Sequence, residues 1–139
     1  MSIRLKILTP KGVYFDEEVD EAYFPSVNGP LGILPGYTRL LAEMKNEGIL
    51  KILQNGESKY YAIFSGVLRV EKDGMTLMTQ MINEGDSIDL ARAKASEARA
   101  RERLEQHKEG LDVTRAQASL ARALVRIEAK QLASGGTKA

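Results

Sequence analysis

The sequence predicts an α+β protein, with an antiparallel β-sandwich or flattened barrel in residues 1–86 and a two-helix hairpin in residues 87–139. Three observations carry this division. Apolar residues alternate with polar ones in short runs before residue 86, the period of a strand with one wet face. All four prolines and all but three of the twelve glycines also lie there, whereas the remainder is rich in alanine. Charge shifts at the same boundary: residues 1–88 hold nine Lys plus Arg against twelve Asp plus Glu, a net of −3, and residues 89–139 hold eleven against seven, a net of +4.

In chain order, Ile3, Leu5 and Ile7 alternate with Arg4 and Lys6, and Pro10 to Gly12 turns the chain. Comparable runs follow at Val13–Phe15, Val19–Phe24, Arg39–Met44, Ile49–Leu53, Lys59–Phe64, Val67–Glu71 and Met75–Met81. Asn55-Gly56 and Asp73-Gly74 are expected to form type I′ hairpin turns, because these pairs tolerate positive φ. Beyond residue 86, Asp86 or Ser87 is expected to cap a first helix, since Ile88–Glu109 lacks Gly and Pro. Gly110 ends it, Asp112 caps a second helix running to about Leu132, and Gly135-Gly136 closes that one. The linker is so short that the helices must form a hairpin or run end to end.

The hairpin is thinly held. Ala91, Ala95, Ala98, Ala116, Ala123 and Ala129 let helix axes approach but bury little apolar area each, and Leu90, Leu104, Leu120, Leu124, Ile127 and Leu132 are the large apolar residues expected to add to them. Two arrangements of such a hairpin lie close in energy, which suggests a switch.

Composition removes several kinds of chemistry. Without cysteine there is no disulfide, thiolate metal site or thiol nucleophile, and a single histidine, His107, excludes a multi-histidine metal centre. No run of 18 apolar residues is present and the N-terminus has no signal-peptide pattern, so the expectation is a cytosolic chain or one held at a membrane through partners. Asp16-Glu17-Glu18-Val19-Asp20-Glu21 reads as the wet face and turn of an edge strand, where charge opposes edge-to-edge pairing.

Two segments invite a functional reading. Asn28-Gly29-Pro30-Leu31-Gly32-Ile33-Leu34-Pro35-Gly36 is a stiff apolar loop without the spacing of a phosphate cradle, so it is either a packed corner of the sandwich or a partner surface built on Leu31, Ile33 and Leu34. Arg92 and Arg99 are seven apart on the first helix, and Arg122 and Arg126 four apart on the second. Each pair shares a helical face, so folding the hairpin either leaves an ordinary charged surface or gathers four guanidinium groups around an anion, with Asp89 beside them.

Taken together, the loop Gly29–Gly36, the strand Gly66-Val67-Leu68-Arg69-Val70 and the helix opening Ile88-Asp89-Leu90-Ala91-Arg92-Ala93 resemble the epsilon subunit of bacterial F-type ATP synthases, over nearly the whole chain and in the same order. The resemblance implies a sandwich of about ten strands that packs on the gamma subunit and touches the c-ring. It also implies a helical hairpin that lies folded on the sandwich or extends toward the catalytic beta and alpha subunits and inhibits ATP hydrolysis. The implied role is a non-catalytic rotor subunit, peripheral at the cytoplasmic face of the bacterial membrane, that needs no metal. Ile88, Asp89, Arg92 and Ala93 match a motif by which some members bind ATP as a regulatory ligand, and Arg99, Arg122 and Arg126 fall at the other arginine positions of that site. Asn83-Glu84-Gly85-Asp86 departs from the shorter acidic approach common in ATP-binding members, so a carboxylate near the base either comes from Glu84 or is absent. Tyr37 stands where a histidine is usual and Pro30 where an acidic residue is frequent. The alternative is a polyanion- or nucleic-acid-binding helical module, against which stand the interspersed glutamates and the absence of aromatics after Phe64.

Overall fold

The computed structural model describes residues 1–106 and 111–135, and the side chains of all of these except Leu111 and Asp112. Ten strands form two five-stranded sheets: β1 (Ile3–Thr9), β2 (Gly12–Val19), β3 (Glu21–Ser26), β4 (Gly29–Ile33), β5 (Leu40–Glu43), β6 (Gly48–Gln54), β7 (Glu57–Phe64), β8 (Val67–Glu71), β9 (Gly74–Met78) and β10 (Met81–Glu84). The first sheet runs β2-β1-β9-β8-β5 and the second β10-β7-β6-β3-β4. All pairs are antiparallel except β1 with β9. A 3₁₀ turn (Gly85–Ser87) leads into α1 (Leu90–Glu105) and then α2 (Leu111–Ala133).

Alternation predicts the core. Ile3, Leu5 and Ile7 of β1 point inward with at most 5% exposure, and Phe24, Leu50, Ile52, Ile63, Leu68, Met75 and Leu77 fill the space between the sheets. The expected edge strand is also found: Asp16, Glu17 and Glu18 lie on β2, at the margin of the first sheet.

Four sequence expectations change. Gly29–Ile33 is a strand rather than only a loop, pairing with β3 so that Ala22 opposes Ile33 and Phe24 opposes Leu31. The run Met75–Met81 is two strands in different sheets, parted at Thr79, whose buried hydroxyl donates to the carbonyl of Ser65 at 2.6 Å. Period-2 reading cannot see this crossing, because alternation continues on both sides of the corner. Asn55 and Gly56 have the two positive φ values of a type I′ turn, 53° and 80°, but at the second hairpin Gly74 has one (143°) and Asp73 does not. Finally, Asp89 caps α1, not Asp86 or Ser87, since the 3₁₀ turn consumes those residues.

The hairpin docks by its second helix. Val125, Ile127 and Ala129 of α2 join Ala62 and Phe64 of β7, with Ile88 and Ala93, in an apolar cluster on the outer face of the second sheet. α1 lies along α2, and Ala93, Ala100, Ala116 and Ala123 are buried. Each helix contributes two of these alanines seven residues apart, which places them on one face. Ala91, Ala95 and Ala98, expected in that seam, are instead exposed, as is Leu124, and Val125 supplies apolar bulk that the sequence reading overlooks. α2 already includes Asp112, so that residue does not precede the helix. His107, Gly110 and Gly136 lie outside the described residues, as does the side chain of Asp112.

Candidate functional site

The junction of the two domains holds a cleft of about 670 Å³. Its floor is β10 and the 3₁₀ turn, through Ile82, Asn83, Glu84 and Ser87. One wall is the start of α1, with Ile88, Asp89, Arg92, Ala93 and Ser96, and the other is α2, with Ala123 and Arg126. Tyr14 of β2 closes the remaining side. A volume in the range of about 300–1,000 Å³ is typical of small-molecule sites.

The start of α1 gives the cleft its electrostatic character. Oδ1 of Asp89 accepts the backbone N–H of Arg92 at 3.1 Å, fixing the first turn. The remaining N–H groups of that turn give the helix end a partial positive charge, to which the Arg92 side chain adds a full one.

Arg126 is the most constrained of the arginines. Its Nε donates to Oδ1 of Asn83 at 2.9 Å, a terminal nitrogen lies 3.3 Å from Sδ of Met81, and the guanidinium sits 4.8 Å from the centre of the Phe64 ring. Those three residues belong to the sandwich, so the side chain stitches α2 to β7 and β10. Burial, with the nearby charge of Arg122, pulls the Arg126 guanidinium below its usual pKa. Among the described residues no carboxylate forms an ion pair with it, and an anion in the cleft would relieve that penalty.

Six of the eight residues expected in an ATP site therefore line one cleft: Glu84, Ile88, Asp89, Arg92, Ala93 and Arg126. Arg99 and Arg122 stand outside its walls. Arg99 donates to Oγ of Ser96 at 3.1 Å, and Arg122 reaches Oγ of Ser119 at 3.4 Å while remaining close enough to Arg126 to perturb it. The sequence reading does not place Tyr14, Ile82, Asn83, Ser87, Ser96 or Ala123 in the site. Tyr14 packs edge-on against Tyr61, with ring centres 6.3 Å apart, and burial beside Glu84 raises the pKa values of both phenols. Nothing in the spacing of β2 indicates this placement, because it depends on how the two sheets meet.

The apolar loop divides differently. Ile33 is 2% exposed and belongs to the sandwich core, Leu31 packs against that core, and only Leu34, at 45% exposure, faces outward. For Ile33 the expectation of a partner contact is corrected, because β4 turns it toward Ala22 and the interior. Tyr37 folds its hydroxyl onto the carbonyl of Glu71, which fixes the loop to the end of β8. Among the described residues, no group of three His, Cys, Asp or Glu is placed to hold a metal, and no helix is long and apolar enough to cross a membrane.

Fold and cleft together define a protein in which a β-sandwich carries a helical hairpin, with a cleft lined by Arg92 and Arg126 between them. Residues 2–85 match the family model for the beta-sandwich domain of the ATP synthase delta/epsilon chain, and residues 86–131 match the model for its long alpha-helix domain. The chain belongs to the ATP synthase delta/epsilon chain family and is a non-catalytic member of it. An ATP synthase epsilon chain from Gloeobacter violaceus is 35% identical over 75% of this chain and 78% of its own length. Another from Desulforamulus reducens is 37% identical over 73% and 76%. Among solved structures, a chain of the Euglena gracilis mitochondrial ATP synthase OSCP/F1/c-ring assembly superposes with a TM-score of 0.76 at 20% identity, covering 96% of this chain and 81% of that one. A chain of the Tetrahymena thermophila central stalk and c-ring gives 0.59 at 14% identity, covering 94% and 97%. At those identities the superpositions speak for the fold alone.

Proposed function

We propose that this chain is the epsilon subunit of an F-type ATP synthase rotor, peripheral at the cytoplasmic face of a bacterial membrane, and that its hairpin is an ATP-responsive latch on hydrolysis. The sandwich joins the gamma subunit to the c-ring. The hairpin, when extended, meets the catalytic beta and alpha subunits. Family membership supports the rotor role, and the similarity to relatives named ATP synthase epsilon chain extends over about three quarters of the chain.

The observation that carries the latch is the convergence of the α1 N-terminus, Arg92 and Arg126 on a single cleft that exists only while the hairpin is folded onto the sandwich. A polyphosphate bound there favours the folded hairpin by RT ln(1 + [ATP]/Kd), about 1.4 kcal/mol at ten times Kd. That suffices to bias two states that an alanine seam leaves close in energy. The concave, partly enclosed setting favours a small anion over a duplex, which would seek basic residues spread across an accessible face.

Calorimetry of the full chain with ATP tests the latch. Wild type should bind at millimolar ATP or below, and the Arg122→Ala, Arg126→Ala double variant should lose that binding while the sandwich keeps its own melting transition. Equal affinity in both, or no binding by wild type, would remove ATP from the mechanism. Salt-sensitive binding to a random DNA duplex without binding to gamma would favour the polyanion module instead.

A further inference from the structure

In β2 the register with β1 slips: Ile7 opposes Phe15, but Leu8 opposes Val13, so Tyr14 is an extra residue with no partner across the ladder. Such a bulge bends an edge strand and re-aims the side chain of the inserted residue. Here it turns the Tyr14 ring out of the first sheet's alternation and across to Tyr61 of β7 in the second sheet. The phenol remains 41% exposed, and the space it faces is the cleft beneath the hairpin.

Register also polarises that cleft. Along β10, Arg126 is held at Met81 and Asn83, whereas Glu84 opposes Tyr61, the ring against which Tyr14 packs. The cationic groups and the aromatic ring therefore occupy different parts of one cavity. A nucleoside triphosphate has the same division, with a polyanionic tail and a flat π-faced base, whereas inorganic phosphate has no use for a ring.

Building on the nucleotide-latch reading, we infer that Tyr14 is a base-contacting residue of the cleft, its ring forming a wall against which the nucleobase stacks. The bulge in β2 is then a functional feature of the sandwich. It makes the site a joint product of both domains, so that a bound nucleotide bridges the edge of the first sheet to the two helices. No motif within the helices records this contribution.

The full chain should be compared with Tyr14→Phe and Tyr14→Leu, which keep side-chain bulk at an exposed position. Base–aromatic stacking predicts that Tyr14→Leu weakens ATP binding by at least about fivefold, whereas Tyr14→Phe stays within about twofold of wild type. The base H2 and H8 protons of ATP should shift upfield on binding to wild type and to Tyr14→Phe, and much less with Tyr14→Leu, because only an aromatic ring produces that shift. Unchanged affinity in Tyr14→Leu, or a loss of affinity with no upfield shift on wild type, would overturn the inference while leaving the ATP latch standing. Failure of wild type to bind ATP at all would remove both.

Discussion

The sandwich and the hairpin solve packing in opposite ways. Between the sheets, Leu5, Ile7, Leu50, Ile52, Ile63, Leu68 and Leu77 are fully buried, and the core is made of large branched and aromatic side chains. Among the described residues of the hairpin, those buried in α1 are two alanines, and those buried in α2, against α1 or the sandwich, are three alanines with Val125 and Ile127. Burial contributes about 25 cal/mol per Å² of apolar surface, so an alanine-lined contact is worth far less than a leucine-lined one. The difference teaches where rigidity is placed. The sandwich is filled with large side chains, whereas the hairpin is held by small ones and by polar ties, Arg126 to Asn83 and Lys130 to the Asp86 carbonyl.

The strongest test of this comparison is a charge in the rigid half. Ile33→Asp places a carboxylate at a position 2% exposed, with no cation within the core to receive it. It should destabilise the sandwich by more than about 4 kcal/mol, read by thermal or urea unfolding of the isolated chain. Leu34→Asp, one residue on and 45% exposed, should change the same midpoint by less than about 0.5 kcal/mol. Similar small losses at both sites would mean that the corner is not packed and that the loop is wholly a surface.

A second test pries at the joint. A Cβ at Gly85 would collide with the carbonyl oxygen of Ala129 and meet the Cβ of Ala133 at 2.8 Å, closer than the β7 carbonyl of Tyr60 at 3.0 Å, so the second helix rests most tightly on this residue. Its backbone does not have the positive φ that demands glycine, and the effect of a side chain there is therefore steric. Gly85→Leu should cost about 1–3 kcal/mol. It should do so selectively: amides of α2 should lose hydrogen-exchange protection while those of β7 keep theirs. Parallel loss in both elements would show that hairpin and sandwich unfold as one unit.

Arg126→Met is a milder version of the same test. It keeps apolar length over Phe64 but removes the hydrogen bond to Asn83 and the cation over the ring. Loss of about 1–2 kcal/mol from hairpin docking is expected, relieved in part because the burial penalty on the guanidinium disappears too. A more protected α2 in the variant would mean that Arg126 is held for a ligand and not for docking.

How much of this was legible in the sequence follows from the same contrast. Strands with one wet face declare themselves by alternation, so β1, β6, β7 and β8 were found close to their observed bounds. β4 is hidden because Gly29, Pro30 and Gly32 resemble a loop, yet they sit on an edge strand where the ladder tolerates them. Of the six cleft residues named in advance, helix spacing points to Asp89, Arg92 and Arg126, and the family resemblance adds Glu84, Ile88 and Ala93. Tyr14 could not be named, since its position depends on a register slip and on how two sheets meet. Ala91, Ala95 and Ala98 are exposed and not in the seam, because alanine spacing alone does not say which face of a helix is turned inward.

The smallest effect expected lies at the far edge of the sandwich and should leave the hairpin untouched. Nε of Arg4 donates to Oδ1 of Asp16 at 2.8 Å, a terminal nitrogen donates to the Asp16 carbonyl at 3.0 Å, and Glu18 lies 4.0 Å from the same guanidinium. The hydrogen bond from Arg4 and its charge hold the Asp16 carboxyl below the usual carboxylate range, although both side chains are well exposed. A carboxyl whose pKa is lowered by folding adds stability that is present above its unfolded value, about 3.9, and is lost as the pH falls through the folded value. Asp16→Asn should therefore lower the urea midpoint of the sandwich slightly at pH 7, with the gap to wild type closing below about pH 4 and shrinking in high salt. A gap that persists at pH 2 would mean that asparagine disturbs β2 by its shape and not by its missing charge. Because β2 also carries Tyr14 and its bulge, ATP affinity should be measured alongside. If Asp16→Asn leaves ATP binding unchanged, the bulge is held by its own pairing and by Tyr61, and the edge charges serve only to keep the strand from pairing with another chain.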